Sequence, residues 1–255
     1  MSQSPGQRRA VAPAAPPLLR LDAVSRSFGS LKVTDQLTLQ VARGEALGII
    51  GPNGAGKTTL MNLIGGDVLP DSGRIVFHGQ DVSALAPQDR CRAGIGRSYQ
   101  IPHPFVGLTV FENVLVGATF GAQRGEHAAR PQALRVLERT GLAAKANTLA
   151  GTLPLLDRKR LELARALATE PKLLLLDEIA GGLTEHEVQA LIETVRAIRD
   201  EGVTIVWIEH IVHALMAVVD RLVAIDFGRL LMQGDPAAVM ADPAVREIYM
   251  GIDVE

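Results

Sequence analysis

The segment GPNGAGKTT, residues 51–59, has residue types and a spacing that suit phosphate binding. Its glycines let the backbone curl so that N–H groups point inward, toward the oxygens of a phosphate. Lys57 supplies a positive charge for the outer phosphates, and the hydroxyl of Thr58 is a suitable Mg²⁺ ligand. The apolar run EALGII precedes the segment and a helical pattern follows it, which is the context of a phosphate-binding P-loop. This context favours a P-loop over a glycine-rich turn that only begins a structural helix.

Two acidic residues, Asp177 and Glu178, end the apolar run LLLL. A carboxylate at the end of a buried strand can hold a Mg²⁺-bound water, and the next one can orient an attacking water. Strands that end in acidic residues are common, so this pair alone indicates little. Together with the P-loop earlier in the chain, the pair indicates a nucleotide-hydrolysing site.

Three further side chains are candidates for the same site, although each is weak evidence alone. His210 ends the apolar run VTIVWIEH, where it can donate to a terminal phosphate or serve only as a strand-end residue. Gln100 precedes a proline-rich loop, and its amide oxygen can bind Mg²⁺. Phe28 ends a predicted strand, where its ring can stack on a base or stay half buried. His213 follows His210, but no nearby cysteine or third ligand completes a metal site.

Alternating strands and helices must position these residues. The segments LLRLDAVSRSFG and KVTDQLTLQVARG alternate apolar and polar residues, which predicts antiparallel strands with one solvent-facing side. The runs EALGIIG, KLLLLDE and VTIVWIEH are apolar throughout, which is typical of buried parallel strands. DRLVAIDFGRLLMQGDP resembles a hairpin. The pattern predicts an α/β fold with a parallel core.

Helical patterns fill the remaining segments. From about residue 85 to 167 the chain reads as helices with Pro and Gly breaks, including PQALRVLERTGL and LPLLDRKRLELARAL. A further helix follows Thr184, which has capping-box spacing to Glu187. One face of that helix is apolar, with Val188, Leu191, Ile192, Val195 and Ile198.

The composition is that of a globular protein with one large domain, or a domain with a subdomain. Of 255 residues, 47% are hydrophobic and 21% charged, and the formal net charge of −2 gives no reason to expect a nucleic-acid partner. Cys91 is the one cysteine, so no intrachain disulfide can form, which fits a reducing compartment. The start is rich in Pro, Ala and Ser and lacks the apolar run of a signal peptide, so residues 1–17 are predicted to be a disordered tail. No apolar run is long enough to span a membrane.

The order of these parts resembles the ATP-binding subunit of an ABC transporter. Phe28, the Walker A segment 51–58, Gln100 of a Q-loop, a helical subdomain, the Walker B strand LLLLD and His210 follow one another as in that family, over about residues 18 to 253. The stretches IGPNGAGKTTLMNLIGG, FVGLTVFENVLVGA, RLELARALATEPKLLLLDE, AGGLTEHE and DPAVREIYMG are similar to an ATPase subunit of the branched-chain amino acid (Liv-type) importers.

The resemblance implies a P-loop NTPase core of ABC ATPase type in residues 18–255, with an antiparallel β subdomain and a helical subdomain at about 85–167. It implies ATP and Mg²⁺ as cofactors. Phe28 is expected to stack on adenine and Lys57 to act on the outer phosphates. The nucleotide-binding segment consists of Gly51, Pro52, Asn53, Gly54, Ala55, Gly56, Lys57, Thr58 and Thr59.

The resemblance also assigns catalytic and metal-binding roles. Thr58, Gln100 and Asp177 are expected to surround Mg²⁺, and Gln100 to sense the γ-phosphate. Glu178 is expected to polarise the attacking water, and His210 to steady the γ-phosphate.

The partners implied are two membrane-spanning permease subunits, a second ATPase subunit and, indirectly, a solute-binding protein that delivers leucine, isoleucine or valine. The expected location is the cytoplasmic side of the inner membrane, as a peripheral subunit. The apolar, proline-rich surface after Gln100, through Phe105 and Phe111, is expected to meet the permease.

One segment departs from the family. Its signature, Leu-Ser-Gly-Gly-Gln, donates a hydroxyl and N–H groups to the γ-phosphate bound by a partner subunit. Here the corresponding residues are Leu153, Pro154, Leu155, Leu156 and Asp157. Pro154 has no N–H and no hydroxyl, and the glycines that allow close approach are absent.

Asp157 adds a charge to this degenerate signature. Against a phosphate oxygen about 4 Å away it would be repelled by about 4 kcal/mol at an effective dielectric near 20. It is therefore expected to turn away, toward Arg158 or Arg160. Ile179 and Thr184 depart from the family pattern as well, where proline and aspartate or asparagine are usual.

These departures lead to a hypothesis of asymmetry. This chain is expected to contribute an intact Walker face to one ATP site and a poor signature to the other, which a heterodimer tolerates. Three alternatives remain: an ABC-type ATPase without a transport role, an ATP-binding subunit with little hydrolysis of its own, and a P-loop kinase. An ABC-type ATPase without a transport role usually has paired domains or long extensions. A P-loop kinase usually has a lid over the site that binds its phosphate acceptor.

Overall fold

The computed structural model describes residues 16–250, with side chains described through residue 248. The tail predicted for residues 1–17 lies outside the described residues except for Pro16 and Pro17, so it stays a prediction. In chain order the strands are β1 (Leu19–Phe28), β2 (Leu31–Val41), β3 (Ala46–Ile50), β4 (Ser72–Phe77), β5 (Gln80–Asp81), β6 (Ile95–Ser98), β7 (Leu173–Asp177), β8 (Thr204–Ile208), β9 (Arg221–Asp226) and β10 (Arg229–Gly234). The α-helices are α1 (Lys57–Gly65), α2 (Pro87–Ala93), α3 (Val110–Val116), α4 (Glu126–Arg139), α5 (Leu155–Ala168), α6 (Glu185–Asp200), α7 (Val212–Met216), α8 (Pro236–Ala241) and α9 (Pro243–Met250).

A four-stranded antiparallel sheet has the order β2-β1-β4-β5. The first two strands form the predicted antiparallel pair, with Leu19 opposite Val41 and Phe28 opposite Leu31. Their inward side chains, such as Leu21 and Leu39, are buried, as the alternation of apolar and polar residues requires. The prediction of an antiparallel unit is confirmed.

The second sheet has six strands in the order β10-β9-β3-β8-β7-β6. Neighbouring strands from β9 to β6 run parallel, and β10 closes the edge as the predicted antiparallel hairpin with β9. Because carboxyl ends of parallel strands meet at one edge, the segments after β3, β6, β7 and β8 are brought together there. These are the segments that carry the P-loop, Gln100, Asp177–Glu178 and His210.

Helix α6 confirms the prediction made from its pattern. Thr184 accepts from the N–H of Glu187 while the Glu187 carboxylate accepts from the N–H of Thr184, which completes the capping box. The five apolar residues predicted for one face are all buried: Val188, Leu191, Ile192, Val195 and Ile198.

Helices α3, α4 and α5 pack on one another and share a buried apolar cluster. Helix α4 begins at Glu126, earlier than the predicted start at Pro131, which lies inside it. The range predicted for the helical subdomain, about 85–167, also includes β6, which pairs with β7 in the parallel sheet. The division into subdomains stays a prediction.

Arg90 in α2 is a wholly buried cation, 0% exposed. Its guanidinium donates to backbone carbonyls, namely those of Leu63, Ile64, Ser83 and Leu85. Two of these acceptors lie in the last turn of α1, where helix carbonyls lack partners within the helix. Burial lowers the pKa of Arg90, against the attraction of Asp67 and Asp81. The side chain thus joins α2 to the end of the helix that follows the P-loop.

Arg90→Met is expected to lower the free energy of unfolding by about 3 kcal/mol, because several buried carbonyls lose their donor at once. Urea denaturation followed by far-UV circular dichroism measures the change. Arg92→Met is the matched control, since Arg92 is half exposed and bonds only Asp89 among its described hydrogen bonds. Equal losses for the two variants would contradict this account of Arg90.

Candidate nucleotide site

The loop of residues 51–56 joins β3 to α1 and is closely packed at two of its three glycines, Gly51 and Gly56. A Cβ on Gly51 would lie 2.2 Å from the carbonyl oxygen of Ile225, and one on Gly56 2.4 Å from that of Val33. Gly56 also has a φ of 98°, in the left-handed region. Glycine is therefore required at both positions by space, in addition to its conformational freedom. The N–H of Gly228, in the β9–β10 turn, donates to the carbonyl of Ala55 and braces the loop from outside.

Lys57 begins α1 and is directed back into the loop. Its side chain is buried, and Nζ donates to the carbonyls of Gly51 at 2.7 Å and Pro52 at 2.9 Å. Burial lowers the pKa of Lys57, while the charges of Glu178 and Asp177 act in the opposite direction. The ammonium group is thus held within the curled backbone.

The remaining predicted residues of this loop are more open. Ala55 is buried and Pro52 and Thr59 are half buried, whereas Asn53, Gly54 and Thr58 are exposed. The Thr58 side chain, in the first turn of α1, is therefore accessible to a ligand.

Asp177 ends β7 and is buried, with a partner that the sequence did not reveal. Its Oδ2 accepts from Nη2 of Arg97 at 2.9 Å. Arg97 also donates to Asn62 and Asp67, and its guanidinium lies 4.6 Å from the ring centre of Tyr99. Burial raises the pKa of Asp177, and the hydrogen bond and charge of Arg97 oppose that shift. An arginine inside the short strand β6 was the signal that could have indicated this pair.

Glu178 brings three elements together. Its Oε2 accepts from the side-chain amide of Gln100 at 2.6 Å, and its Oε1 lies 2.8 Å from Nε2 of His210. Its backbone N–H donates to the carbonyl of Ile208 at 2.9 Å. Its φ of 46° lies in the left-handed region, which costs a residue with a Cβ on the order of 1 kcal/mol. The segments after β6, β7 and β8 therefore meet at this carboxylate.

Gln100 contacts Glu178 in this structure, whereas the sequence analysis expected it beside Asp177 and Thr58. Among residues 16–250, no group of three or more His, Cys, Asp or Glu side chains is placed to hold a metal ion alone. The candidate oxygen ligands near the P-loop are the exposed Thr58 hydroxyl and the Asp177 carboxylate, which is buried and bonded to Arg97. This small set suits Mg²⁺, which usually keeps several waters and takes its other ligands from phosphates.

Phe28 lies at the end of β1, outside the cluster around Glu178. Its side chain is 47% exposed, and the Arg26 guanidinium lies 4.9 Å from its ring centre. The exposed ring is accessible to a planar base, and the predicted stacking role remains a prediction.

The degenerate signature forms the entry to α5. Pro154 is the N-cap and the helix begins at Leu155; both are exposed, whereas Leu153 is buried and Leu156 half buried. An Ala or Ser cap residue would carry an N–H that Pro154 lacks. The apolar side chain of Leu155 lies beside Gly182, in the loop that follows β7.

Asp157 is buried and turned toward basic side chains of this chain. Its carboxylate bonds Lys145 and lies 4.0 Å from Arg160, and the side chain is 7% exposed. Of the two partners considered in the sequence analysis, Arg160 is confirmed. Arg158 instead donates to the carbonyls of Leu153 and Gly151. Lys145 was missed because it belongs to a different turn, 12 positions earlier.

Asp157→Asn is expected to leave the Kd for Mg-ATP and the hydrolysis rate within about twofold, because the charge faces Lys145 rather than a bound nucleotide. The free energy of unfolding is expected to fall by about 1 kcal/mol, since Lys145 is half exposed. Nucleotide titration and urea denaturation of the full-length chain, together with phosphate release by the membrane complex, measure the three quantities. A tenfold gain in affinity or rate would mean that the carboxylate approaches a phosphate after all.

Comparison with known proteins identifies the family. A family model described as ABC transporter matches residues 34–181, more than half of the chain. The chain belongs to the ABC transporter family. A second model, described as branched-chain amino acid ATP-binding cassette transporter, matches residues 229–255.

Individual relatives agree with this assignment. The chain is 34% identical to the high-affinity branched-chain amino acid transport ATP-binding protein LivG of Escherichia coli K12, over 92% of this chain and 98% of LivG. It is 32% identical to the lipopolysaccharide export system ATP-binding protein LptB of Haemophilus influenzae, over 92% and 97%. Among solved structures, the ADP conformation of MJ1267, an ATP-binding cassette of an ABC transporter, superposes with a TM-score of 0.85 at 30% identity, over 93% and 100%.

This ABC chain is therefore an ATP-binding subunit of a transporter, homologous to LivG, with the mixed α/β fold of ABC cassettes. Its family binds nucleotide, and its homologues work with membrane permease subunits. Between residues 16 and 250, no helix has both the length and the apolar character needed to cross a bilayer.

Proposed function

We propose that this chain binds and hydrolyses Mg-ATP to power an importer of branched-chain amino acids. The observation that carries the hydrolytic part is the contact of Glu178 with both Gln100 and His210, at the sheet edge that also holds the P-loop. The amino-acid part is supported by the similarity to LivG and by the C-terminal match at residues 229–255.

The chain's own residues divide the work between binding and hydrolysis. The N–H groups of residues 51–59 and the ammonium of Lys57 bind the phosphates, and the Phe28 ring stacks on adenine. Thr58 and Asp177 would hold Mg²⁺, which neutralises charge on the phosphates when it is bound. Glu178 orients the attacking water, and His210 donates to the γ-phosphate. Gln100, which donates to Glu178 in this structure, would have to leave that carboxylate to serve as a Mg²⁺ ligand.

The assembly we propose contains two permease subunits, a second ATPase subunit and, indirectly, a solute-binding protein, with this chain on the cytoplasmic side of the inner membrane. The loop after Gln100 supports the permease contact, because Ile101, Phe105 and Val106 are exposed apolar residues. Asn113, which is buried, holds this loop through both its amide oxygen and its amide nitrogen, bonded to the backbone of Phe105. Such a patch on a fixed loop suits an apolar partner surface.

The second ATPase subunit is proposed to be a different chain. Pro154 and Leu155 occupy the exposed entry of α5, where a serine and a glycine would approach a partner's γ-phosphate. A copy of this chain would therefore complete its partner's site poorly. A different subunit with an intact signature would complete the site built on Lys57 and Glu178.

Reconstitution tests the transport proposal. The complex that purifies from membranes through a tag on this chain is placed in proteoliposomes loaded with ATP, with its binding protein outside. We expect uptake of labelled leucine, isoleucine or valine, and none with a non-hydrolysable ATP analogue. ATP-driven movement of lipid instead, as the similarity to LptB allows, would replace the amino-acid proposal.

The altered signature favours one second candidate, an ATP-binding subunit with little hydrolysis of its own. In that case this chain would pair with a second copy of itself, and each site would hold nucleotide against the altered signature of the other copy without rapid hydrolysis. Trapping of labelled nucleotide on each subunit distinguishes the two functions.

A further inference from the structure

Helix α5 carries a lysine that reaches across to the site described above. Lys159 lies two residues beyond the degenerate signature and is only 4% exposed. Its Nζ donates to the carbonyl of Gln100 at 2.6 Å and lies 3.5 Å from the carbonyl of Glu178. A lysine is rarely buried unless its charge is paired, so its position requires an explanation.

Glu209 supplies the opposite charge from the other side. It is 1% exposed, and its carboxylate accepts from the N–H of Ala180 at 2.6 Å and of His210 at 3.0 Å. Burial lowers the pKa of Lys159, and the negative charges of Glu209 and Glu178 oppose the shift. Burial likewise raises the pKa of Glu209. A buried cation and a buried anion therefore support the same group of loops.

Between them, these two ions bind the backbone on both sides of the hydrolytic carboxylate. Lys159 binds residues 100 and 178, and Glu209 binds residues 180 and 210. Glu178 has an unfavourable left-handed conformation, which persists only where the surroundings hold it. Of the two ions, only Lys159 comes from the helical subdomain.

We propose that Lys159 is a positioning residue that fixes the orientation of Glu178 and links it to the location of α5. This inference rests on the proposed hydrolytic function of Glu178. The helix that begins with the signature is thereby tied, within one chain, to the carboxylate of that chain's own site. Loss of the ammonium would release the backbone at Gln100 and Glu178 while leaving the P-loop contacts of Lys57 intact.

Two variants and one matched control test the proposal. Lys159→Met removes the charge and keeps most of the side-chain length, and Lys159→Arg keeps a donor that can reach the same carbonyls. Arg90→Met is the control, because it also removes a buried cation from backbone carbonyls, but away from the sheet edge. Hydrolysis is measured on the membrane complex, and Mg-ATP binding and amide hydrogen exchange on the full-length chain alone.

For Lys159→Met we expect kcat to fall by about ten- to a hundredfold, as for a misplaced reacting group, with KM and Kd within about threefold. Amide exchange at residues 178–181 is expected to speed up, and Lys159→Arg to recover most of kcat. Arg90→Met is expected to be less stable while keeping its kcat.

Equal kcat for Lys159→Met and Arg90→Met, or a loss confined to Kd, would overturn the inference. Failure of the proposed function looks different, because the wild-type complex would then not hydrolyse ATP. In that case unchanged exchange at residues 178–181 in Lys159→Met would still count against the positioning role, and faster exchange would support it.

Discussion

Replacing Glu178 by glutamine is expected to lower kcat for ATP hydrolysis at least about a hundredfold, while Mg-ATP binding stays within about threefold. Glutamine keeps the size of the side chain and one acceptor oxygen for the contacts with Gln100 and His210, but it loses the second acceptor and the negative charge that would polarise a water. The P-loop contacts of Lys57 are separate from this carboxylate and remain. Steady-state phosphate release by the membrane complex measures kcat, and titration of the full-length chain alone with a fluorescent ATP analogue measures binding.

Glu185→Gln is the matched control for this prediction. Glu185 is an exposed carboxylate at the start of α6, and its Oε1 lies 3.2 Å from Nε2 of His213. The Glu185→Gln variant is expected to keep the wild-type rate of ATP hydrolysis. Undiminished hydrolysis by Glu178→Gln would assign the water-orienting role elsewhere, and the buried carboxylate of Glu209 would be the next residue to replace.

Lys57→Met is expected to weaken Mg-ATP binding by about a hundredfold, which corresponds to about 3 kcal/mol for a lost charge-assisted contact. The ammonium is held inside the loop by the carbonyls of Gly51 and Pro52, and methionine removes its charge. Isothermal titration calorimetry of the full-length chain measures the affinity.

Lys172→Met is the control for Lys57, because Lys172 is remote from the loop and contacts His78. The affinity of the Lys172→Met variant for Mg-ATP is expected to equal that of the wild type. If Lys57→Met bound nucleotide as tightly as the wild type, the loop of residues 51–59 would not be the phosphate site.

Features encoded in adjacent residues were predictable from the sequence. The P-loop depends on glycines and a lysine within residues 51–58, and the capping box of α6 on Thr184 and Glu187. The strand that ends at Asp177 and the hairpin of β9 and β10 follow from local apolar patterns. In each case the physical cause lies within about a dozen neighbouring positions.

Contacts between distant segments were not predictable in the same way. Arg97 meets Asp177 across 80 positions, Gln100 meets Glu178 across 78, and Lys159 meets Gln100 across 59. Each depends on strand order in the parallel sheet or on the packing of α5 against it. A single sequence specifies residue types at these places but not which side chains meet.

The degenerate signature lies between these two cases. The loss of its serine and glycines could be read directly from the sequence, and so could the need for Asp157 to avoid a phosphate. The partner that satisfies Asp157, Lys145, became evident only in the fold. The structure adds that Lys159, on the same helix, contacts the backbone carbonyls of Gln100 and Glu178.

The proposed asymmetry requires that this chain provide a complete Walker face but an inadequate signature. Its most direct test is steady-state ATP hydrolysis by the purified full-length chain alone, over a wide range of protein concentrations, with Glu178→Gln as control. The account predicts that the chain binds Mg-ATP and stays inactive at every concentration, because a second copy presents Pro154 and Leu155 where a donor is needed. Specific activity that rises with concentration and disappears in Glu178→Gln would show that homodimers form working sites, and would contradict the proposed asymmetry.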